Sequence, residues 1–233
     1  MPKKRCYPRL YQSWRFWKEV NDIIVSHKLR LDSIKRGVSE LDPEFEEFFL
    51  DVMAPIENDA RKAMIEEAKK LPPWEWMITI KGLKSGSIGA KVLALIDDIR
   101  IPTNVSKLWV YSGYGVTDGQ ADKNRKGVSS RFNKALKSAL WEVASQFIRQ
   151  KTPLYYDLYL EEKKRQRGLH PEPVDGKYTD GHIHNMARRK MTKIFIYHLW
   201  FVWRSVEGLP TSNPWVIDHG RHTDLIPPPN WEG

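Results

Sequence analysis

Residues 80–99 read IKGLKSGSIGAKVLALIDDI and place three glycines and two lysines in ten residues, directly before an apolar helix. Glycine permits backbone torsions closed to other residues and removes the side chain, so backbone amides and the positive end of the following helix can approach a phosphate. A helix, a tight glycine-containing turn and a second helix form the pattern of a helix-hairpin-helix element. The stretch therefore predicts a helical domain whose turn binds nucleic acid.

The turn of this element supplies the first set of predicted binding residues. Ile80 is expected to end the first helix, while Ala90 and Leu93 let the second helix pack closely. The predicted nucleic-acid-binding residues here are Lys81, Gly82, Lys84, Ser85, Gly86, Gly89 and Lys91. The alternative is an ordinary corner between two helices, because short glycine motifs produce many false positives.

The charge of the chain favours a polyanionic partner. Its 38 Lys and Arg residues exceed its 29 Asp and Glu residues, for a net charge of +9 and a pI near 9.5. Nucleic acid fits this balance, although a membrane surface would also attract it. No stretch reaches the roughly 20 apolar residues of a spanning helix, and MPKKRCYPRL lacks a signal-peptide core. With a single cysteine, we expect a cytoplasmic, nucleoid-associated protein without membrane contact.

A second basic cluster follows downstream. It holds six cations within fifteen residues, and Asp122 is the acid beside it. Its members are Lys123, Arg125, Lys126, Arg131, Lys134 and Lys137. The loop half of this cluster is expected to follow a phosphate backbone, with a solvated surface as the alternative. Trp109, Tyr111 and Tyr114 lie upstream, where they would stack on unpaired bases or join the core.

The N-terminal third has an apolar seam typical of a long helix. Apolar residues keep alternating steps of three and four, with His27 in one slot, at Trp17, Val20, Ile24, Leu31, Ile34, Val38 and Leu41. This spacing predicts a helix over 10–37. Asp42 and Pro43 should cap and begin a second helix, which Pro55 should kink or interrupt. The two helices would form a hairpin within one chain or a coiled coil between two chains.

The predicted organisation is mainly α. The segment LPPWEW marks a boundary near residue 72, which gives a helical linker or coiled-coil region over 1–72. A compact domain with the helix-hairpin-helix element spans 73–207, and a Pro-rich irregular tail spans 208–233. Further helices are expected from about Val128, Pro153 and Asp180.

Four motifs in order carry a family resemblance: the hairpin, YSGYG at 111–115, RKGVSSRFNKALKSALWEVA at 125–144 and ARRKMTKIF at 187–195. In this order they resemble the C-terminal transposase domain of the Piv/MooV-related, bridge-RNA-guided insertion-sequence transposases, the IS-one-ten class. The resemblance covers about residues 74–206, and the helices before residue 72 fit the family's helical linker.

Each of these motifs matches the family pattern at several positions. The family hairpin I-P-G-I-G-x-x-x-A is matched by Ile80, Gly82, Leu83, Gly86 and Ala90. Lys81 replaces the proline, and the turn is two residues longer. The Y-x-G step matches Tyr111 and Gly113. The segment R-G-x-I-S-K-x-G-N with L-R-x-x-L is matched by Lys126, Gly127, Ser129 or Ser130, Asn133, Leu136, Lys137 and Leu140.

The resemblance implies DNA transposition or site-specific recombination by a mobile-element protein, with a structured guide RNA as a further partner. In the family, a serine attacks the scissile phosphate and leaves a covalent protein–DNA intermediate. The family's Ser-Gly step reads Asp118-Gly119 here, so the catalytic residue is unknown. Ser129 and Ser130 are weak candidates, and Ser112 fills the variable slot of Y-x-G; caps or turns are the alternative roles.

The family's N-terminal RuvC-like domain, with four metal-binding carboxylates, has no match in this chain. We therefore expect no metal site and no cofactor here, with Mg²⁺ entering only if a RuvC-like partner domain is supplied. The histidine pair His182 and His184, with His170 and His198, is only a weak zinc signal without nearby cysteines.

Three functional hypotheses follow. The first is a transposase- or recombinase-type DNA-binding protein that works with a RuvC-like domain. The second is a non-catalytic helix-hairpin-helix nucleic-acid-binding protein derived from a transposase. The third is a helical scaffold, and in each case the N-terminal helices are expected to make a homo-oligomer.

Overall fold

The structure, a computed structural model, describes residues 5–117, 119–122, 127–214 and 225–232. It is mainly helical, as predicted: these ranges hold eight helices and one short pair of strands. The chain divides into two compact units, Met1–Leu71 and Pro72–Gly233. None of the helices in the described ranges combines the length and apolar character that a membrane crossing requires.

The first unit consists of two long helices, α1 (Pro8–Lys35) and α2 (Pro43–Ala68). Each begins with a proline, whose missing N–H is not needed in the first helical turn. The helices run antiparallel, because Trp17 near the start of α1 bonds Glu57 at 2.6 Å, while His27 lies 2.5 Å from Glu46 near the start of α2. Leucine, tryptophan and methionine side chains fill the contact between them.

The buried stripe of α1 lies further toward its N-terminus than the seam predicted from the sequence. Leu10 and Trp14 are buried with Val20 and Ile24, whereas Val38 is 75% exposed and Leu41 is 54% exposed. The reason is that α1 ends at Lys35 and the chain turns through Gly37, so the last two seam residues lie in a loop.

The predicted interruption of the second helix at Pro55 is wrong. The helix α2 is 26 residues long and continues through this proline. Its buried residues lie on both sides, with Glu46 before the proline and Ala60 and Met64 after it. Packing of both halves against α1 therefore outweighs the backbone hydrogen bond that the proline removes.

The second unit contains the remaining elements. They are α3 (Trp74–Thr79), α4 (Ser87–Ile96), α5 (Val105–Tyr111), β1 (Val116–Thr117), β2 (Gln120–Ala121), α6 (Lys134–Arg149), α7 (Tyr155–Leu169) and α8 (Asp180–Val206). The strands pair antiparallel, with Val116 opposite Ala121. The predicted helix start near Val128 is wrong, since Asn133 caps α6 by accepting a bond from the Leu136 amide at 3.1 Å.

Helix α8 is the centre of this unit, and α5, α6 and α7 all pack on it. Its C-terminal half is buried on every side, which explains its long apolar run. Phe195 meets Phe147 of α6 and Tyr155 of α7, with ring centroids 5.3 and 5.8 Å apart. This aromatic cluster joins three helices in one core.

Residues 225–232 of the C-terminal tail have no helix or strand but are docked on the core. The Trp76 indole donates to the Pro229 carbonyl at 2.8 Å. His198 Nε2 donates to the Ile226 carbonyl at 2.9 Å, and its Nδ1 accepts from the Tyr155 hydroxyl at 2.8 Å. The tail thereby ties α3 to α8.

Candidate nucleic-acid interface

The glycine-rich stretch forms a tight turn between α3 and α4. The Leu83 amide bonds the Ile80 carbonyl at 3.0 Å, and the Gly86 amide bonds the Leu83 carbonyl at 2.9 Å. Gly82 and Gly86 have φ angles of +97° and +76°, which L side chains rarely adopt. These two glycines are therefore required by the backbone path itself.

One side of this turn rests on the protein. A Cβ at Gly82 would lie 3.4 Å from the Thr152 hydroxyl and 3.5 Å from the Phe147 ring, and Thr152 donates to the Lys81 carbonyl at 2.8 Å. A Cβ at Gly89 would lie 3.3 Å from the Met77 methyl group. A Cβ would therefore be tight only at Gly89, and at Gly82 the positive φ is the constraint.

The predicted lysines of the turn separate into two environments. Lys81, Lys84 and Ser85 are exposed at its tip. Lys91 is buried further along α4 and lies 2.5 Å from the Glu142 carboxylate of α6. The tip therefore presents two lysines, and Lys91 lies apart from them in an ion pair.

The downstream cluster is only partly visible, because Lys123, Arg125, Lys126 and Asp118 lie outside the described residues. Two of its described members, Arg131 and Lys137, contact Asp122. Arg131 Nε donates to the Asp122 carboxylate at 3.1 Å, and Lys137 donates to the Asp122 backbone carbonyl at 2.9 Å. Lys134 is exposed at the first position of α6.

Helix α8 brings three further cations to the same region. The Arg189 guanidinium donates to the carbonyls of Tyr114 and Gly115, both at 2.7 Å. The Lys193 ammonium lies 4.0 Å above the Trp109 ring. Next to them, Arg188 lies 4.8 Å over the Trp141 ring. We name Lys137, Arg188, Arg189 and Lys193 the cation group.

Carbonyls and aromatic rings, not carboxylates, hold most of the cation group. Burial, together with the charge of Arg189, lowers the pKa of Lys193 to about 8. The pKa of Lys137 is lowered by burial and by Arg189, while Asp122 acts in the opposite direction. Burial also lowers the pKa values of Arg188 and Arg189. A bound anion would relieve this desolvation and mutual repulsion.

Sequence reasoning missed Arg188, Arg189 and Lys193 as site residues. The available signal was the i, i+4 spacing of Arg189 and Lys193, which puts both on one face of a helix that is otherwise mostly apolar. The carbonyl partners of Arg189 lie about 75 residues earlier in the chain, and no local pattern reveals such a contact.

The motif residues Tyr111 and Asn133 connect α5 to α6. The Tyr111 hydroxyl donates to the Leu95 carbonyl at 3.1 Å and accepts from Asn133 Nδ2 at 3.0 Å. The Asn133 amide also bonds the Tyr111 carbonyl at 2.8 Å. These bonds give the Y-x-G step and the later asparagine a structural role.

The candidate serines differ in exposure. Ser112 is fully buried and donates to the Trp109 carbonyl at 3.2 Å. Ser130 donates to the Phe132 carbonyl at 3.0 Å, which closes a turn before α6. Ser129 is exposed. Of the three, Ser129 is exposed, Ser130 is partly buried and Ser112 is buried.

The histidines do not converge on one point. His198 and His184 bond the hydroxyls of Tyr155 and Tyr159, at 2.8 and 2.7 Å. His182 accepts from the Tyr178 amide at 3.0 Å. Within the described ranges, no group of three or more His, Cys, Asp or Glu side chains could hold a metal ion.

Comparison with known proteins finds no match: no family model matches the chain, and no curated protein or solved structure is significantly similar to it.

Proposed function

We propose that the second unit binds nucleic acid, as part of a transposase- or recombinase-type protein acting in DNA transposition or site-specific recombination. The supporting observation is the cation group, which α8 and α6 hold around the Tyr114–Gly115 turn. Its guanidinium and ammonium groups are fixed in position by carbonyls and rings. Pre-positioned, partly desolvated cations of this kind suit phosphate oxygens.

The turn between α3 and α4 supplies a second contact in this proposal, as a helix-hairpin-helix element. Lys81 and Lys84 project from its exposed tip, and Ser85 adds a hydroxyl. Gly86 is the N-cap residue of α4, so the positive end of that helix lies next to the tip in the chain. The tip would contact a phosphate backbone without reading its sequence.

The family resemblance extends the proposal to the process and its partners. It adds a structured guide RNA, and a RuvC-like domain whose carboxylates bind Mg²⁺. It also adds a nucleoid-associated location. If strand transfer occurs, Ser129 is the exposed hydroxyl among the serine candidates.

The second candidate is a non-catalytic nucleic-acid-binding protein of the same descent. The hydroxyls of Ser112 and Ser130 favour it, because both donate to backbone carbonyls and are thereby engaged in turns. Covalent protein–DNA adducts separate the two candidates. If the chain is catalytic, the wild type should form such adducts and Ser129→Ala should not. If it is non-catalytic, the wild type should form none.

We also propose that the chain forms a homo-oligomer through its first unit. This oligomer belongs to the binding protein and replaces the separate hypothesis of a helical scaffold. Val38, Leu41, Phe45 and Phe48 expose 54 to 75% of their surface there. Light scattering should show a multimer that Phe45→Ser with Phe48→Ser converts to a monomer. A wild-type monomer at high concentration would contradict this part.

Fluorescence anisotropy across a salt series tests the binding proposal. Labelled duplex DNA, single-stranded DNA and structured RNA should bind with steep salt dependence. Lys81→Gln with Lys84→Gln should reduce the slope of log K against log salt by about 1.8 for duplex DNA, at about 0.9 per lost phosphate contact. Lys18→Gln with Lys62→Gln, at two exposed positions of the first unit, is the charge-matched control. Absence of binding at low salt would contradict the proposal.

A further inference from the structure

Trp141 is a large apolar side chain that remains half exposed. Its exposed fraction is 50%, although it lies in α6, a helix whose opposite face is fully buried in the core. The buried face of that helix carries Leu136, Leu140, Val143 and Phe147. Trp141 therefore lies outside the core, on the solvent side of α6.

The surroundings of the ring are cationic. The Arg188 guanidinium lies 4.8 Å from the ring centroid, and Lys137 lines the same surface groove, about 310 Å³ in volume, with Trp141 and Ser138. Glu142 also lines this groove, but its carboxylate is bonded to Lys91. Its negative charge is thus compensated from within the protein.

The face of α6 that carries Trp141 is continuous and polar. Lys134, Ser138, Trp141 and Ser145 lie at i, i+4, i+7 and i+11, so they share one side of the helix. Within this helix, Ser138 donates to the Lys134 carbonyl and Ser145 donates to the Trp141 carbonyl. The face therefore presents a flat ring with cations around it.

We infer that Trp141 is a stacking platform for an unpaired base, with Lys137 and Arg188 binding the flanking phosphates. This inference rests on the proposed function and specifies its ligand as single-stranded nucleic acid. Any base can stack on an indole, and charge complementarity with the phosphates selects a polyanion over an apolar protein partner. A duplex keeps its bases paired inside, so it cannot use the ring.

The test compares labelled oligothymidine with a blunt duplex of equal length, at one salt concentration. Trp141→Ala should weaken oligothymidine binding about tenfold, since base stacking on an aromatic ring contributes about 1–3 kcal/mol. Duplex affinity should change less than about twofold, because the phosphate contacts remain. Trp141→Phe should restore most of the loss. Leu160→Ala removes a similarly exposed apolar side chain from α7 and is the matched control.

Each other outcome overturns the inference in a distinguishable way. Equal loss for both polymers would make Trp141 a general contact. Unchanged binding of both would remove the platform and leave the proposed function standing. No binding by wild type would remove the proposed function itself. A change of oligomeric state in Trp141→Ala, measured by light scattering, would assign the ring to a second copy of the chain.

A photochemical experiment tests the contact directly. Oligothymidine carrying one 5-iodouracil forms adducts with aromatic residues that stack on it, and mass spectrometry locates them. The expected adduct lies on Trp141. Adducts confined to other aromatic residues would contradict the inference even if the Trp141→Ala variant lost affinity.

Discussion

The two units treat charge differently. The first 71 residues contain 14 Lys and Arg against 13 Asp and Glu, so eight of the nine net positive charges belong to the second unit. In the described part of the first unit, most ion pairs follow helical spacing, as in Arg15–Glu19 and Lys69–Glu66. In the second, Arg189 and Lys193 meet carbonyls and a ring. The two units therefore differ in where their positive charge is compensated, and the proposed interface lies in the unit that holds the excess.

The strongest challenge to this comparison is to neutralise three cations in each unit. Lys137→Gln, Arg188→Gln and Lys193→Gln together should weaken duplex DNA binding on the order of 100-fold near 0.1 M salt, because up to three phosphate contacts are lost. The measurement is anisotropy across a salt series, with circular dichroism to verify helix content.

The matched triple variant in the first unit is Lys18→Gln, Lys28→Gln and Lys62→Gln, all at exposed positions. It should change affinity less than about threefold, since the net charge of that unit is already near zero. Equal losses in the two triple variants would show that total charge alone governs binding.

Acid should destabilise the second unit through His198. Burial lowers its pKa to about 4, although the bond to the Ile226 carbonyl acts in the opposite direction. An unfolded histidine takes up its proton near pH 6.5. Stability should therefore fall as pH drops from 6.5 towards 4, by about 2–3 kcal/mol at pH 4.5.

Urea unfolding at pH 7, 5.5 and 4.5 measures this effect. His198→Gln keeps a donor for Ile226 and an acceptor for Tyr155, so its stability should vary much less with pH over this range. The same pH slope in wild type and variant would assign acid sensitivity to other groups.

Buried and exposed carboxylates should differ in how much their ion pairs contribute to stability. Burial would raise the pKa of Glu162, but bonds from Arg165, Gln166 and Lys190 outweigh it and hold that pKa at about 2. Glu162→Gln should lower the free energy of unfolding by about 1–2 kcal/mol at pH 7, since the cationic partners are half exposed.

The control for this contrast is Glu66→Gln, which removes an exposed pair with Lys69 in the first unit. We expect a change below about 0.5 kcal/mol by thermal or urea unfolding. If the two variants lose the same stability, burial does not distinguish the two sets of ion pairs. The Glu162 contribution itself should disappear as pH falls from 4.5 towards 2.

The smallest expected effect concerns alkaline pH. Because the Lys193 pKa is lowered to about 8, its charge is lost between pH 7 and 9, and affinity for nucleic acid should fall about fivefold. Lys193→Arg should bind with little pH dependence in this range. Anisotropy at constant ionic strength is the measurement, and an identical pH response in both proteins would contradict the assignment.

Sequence periodicity predicted the helices well and their ends less well. The apolar spacing of residues 10–37 predicts a long helix, but it cannot show that Gly37 turns the chain before Val38. Likewise, the apolar face of α6 is evident from its sequence, whereas its start depends on the Asn133 cap. Local patterns specify the period of an element more strongly than its boundary.

The candidate site was less predictable, for a physical reason. The exposed tip at Lys81 and Lys84 follows from a local turn. The cation group depends on contacts such as Arg189 with the Tyr114 carbonyl, which join distant parts of the chain. The local sequence predicts Lys91 as a binding residue, but its pairing with Glu142 arises only when α4 meets α6.

The docked tail has a consequence for biosynthesis. The Trp76 indole finds its acceptor 153 residues later, at Pro229, and the Thr79 hydroxyl accepts from Asn230. During translation, α3 therefore leaves the ribosome long before the residues that secure it are made. A chain halted before residue 229 would therefore hold α3 without these two hydrogen bonds, next to a glycine turn that Thr152 already supports.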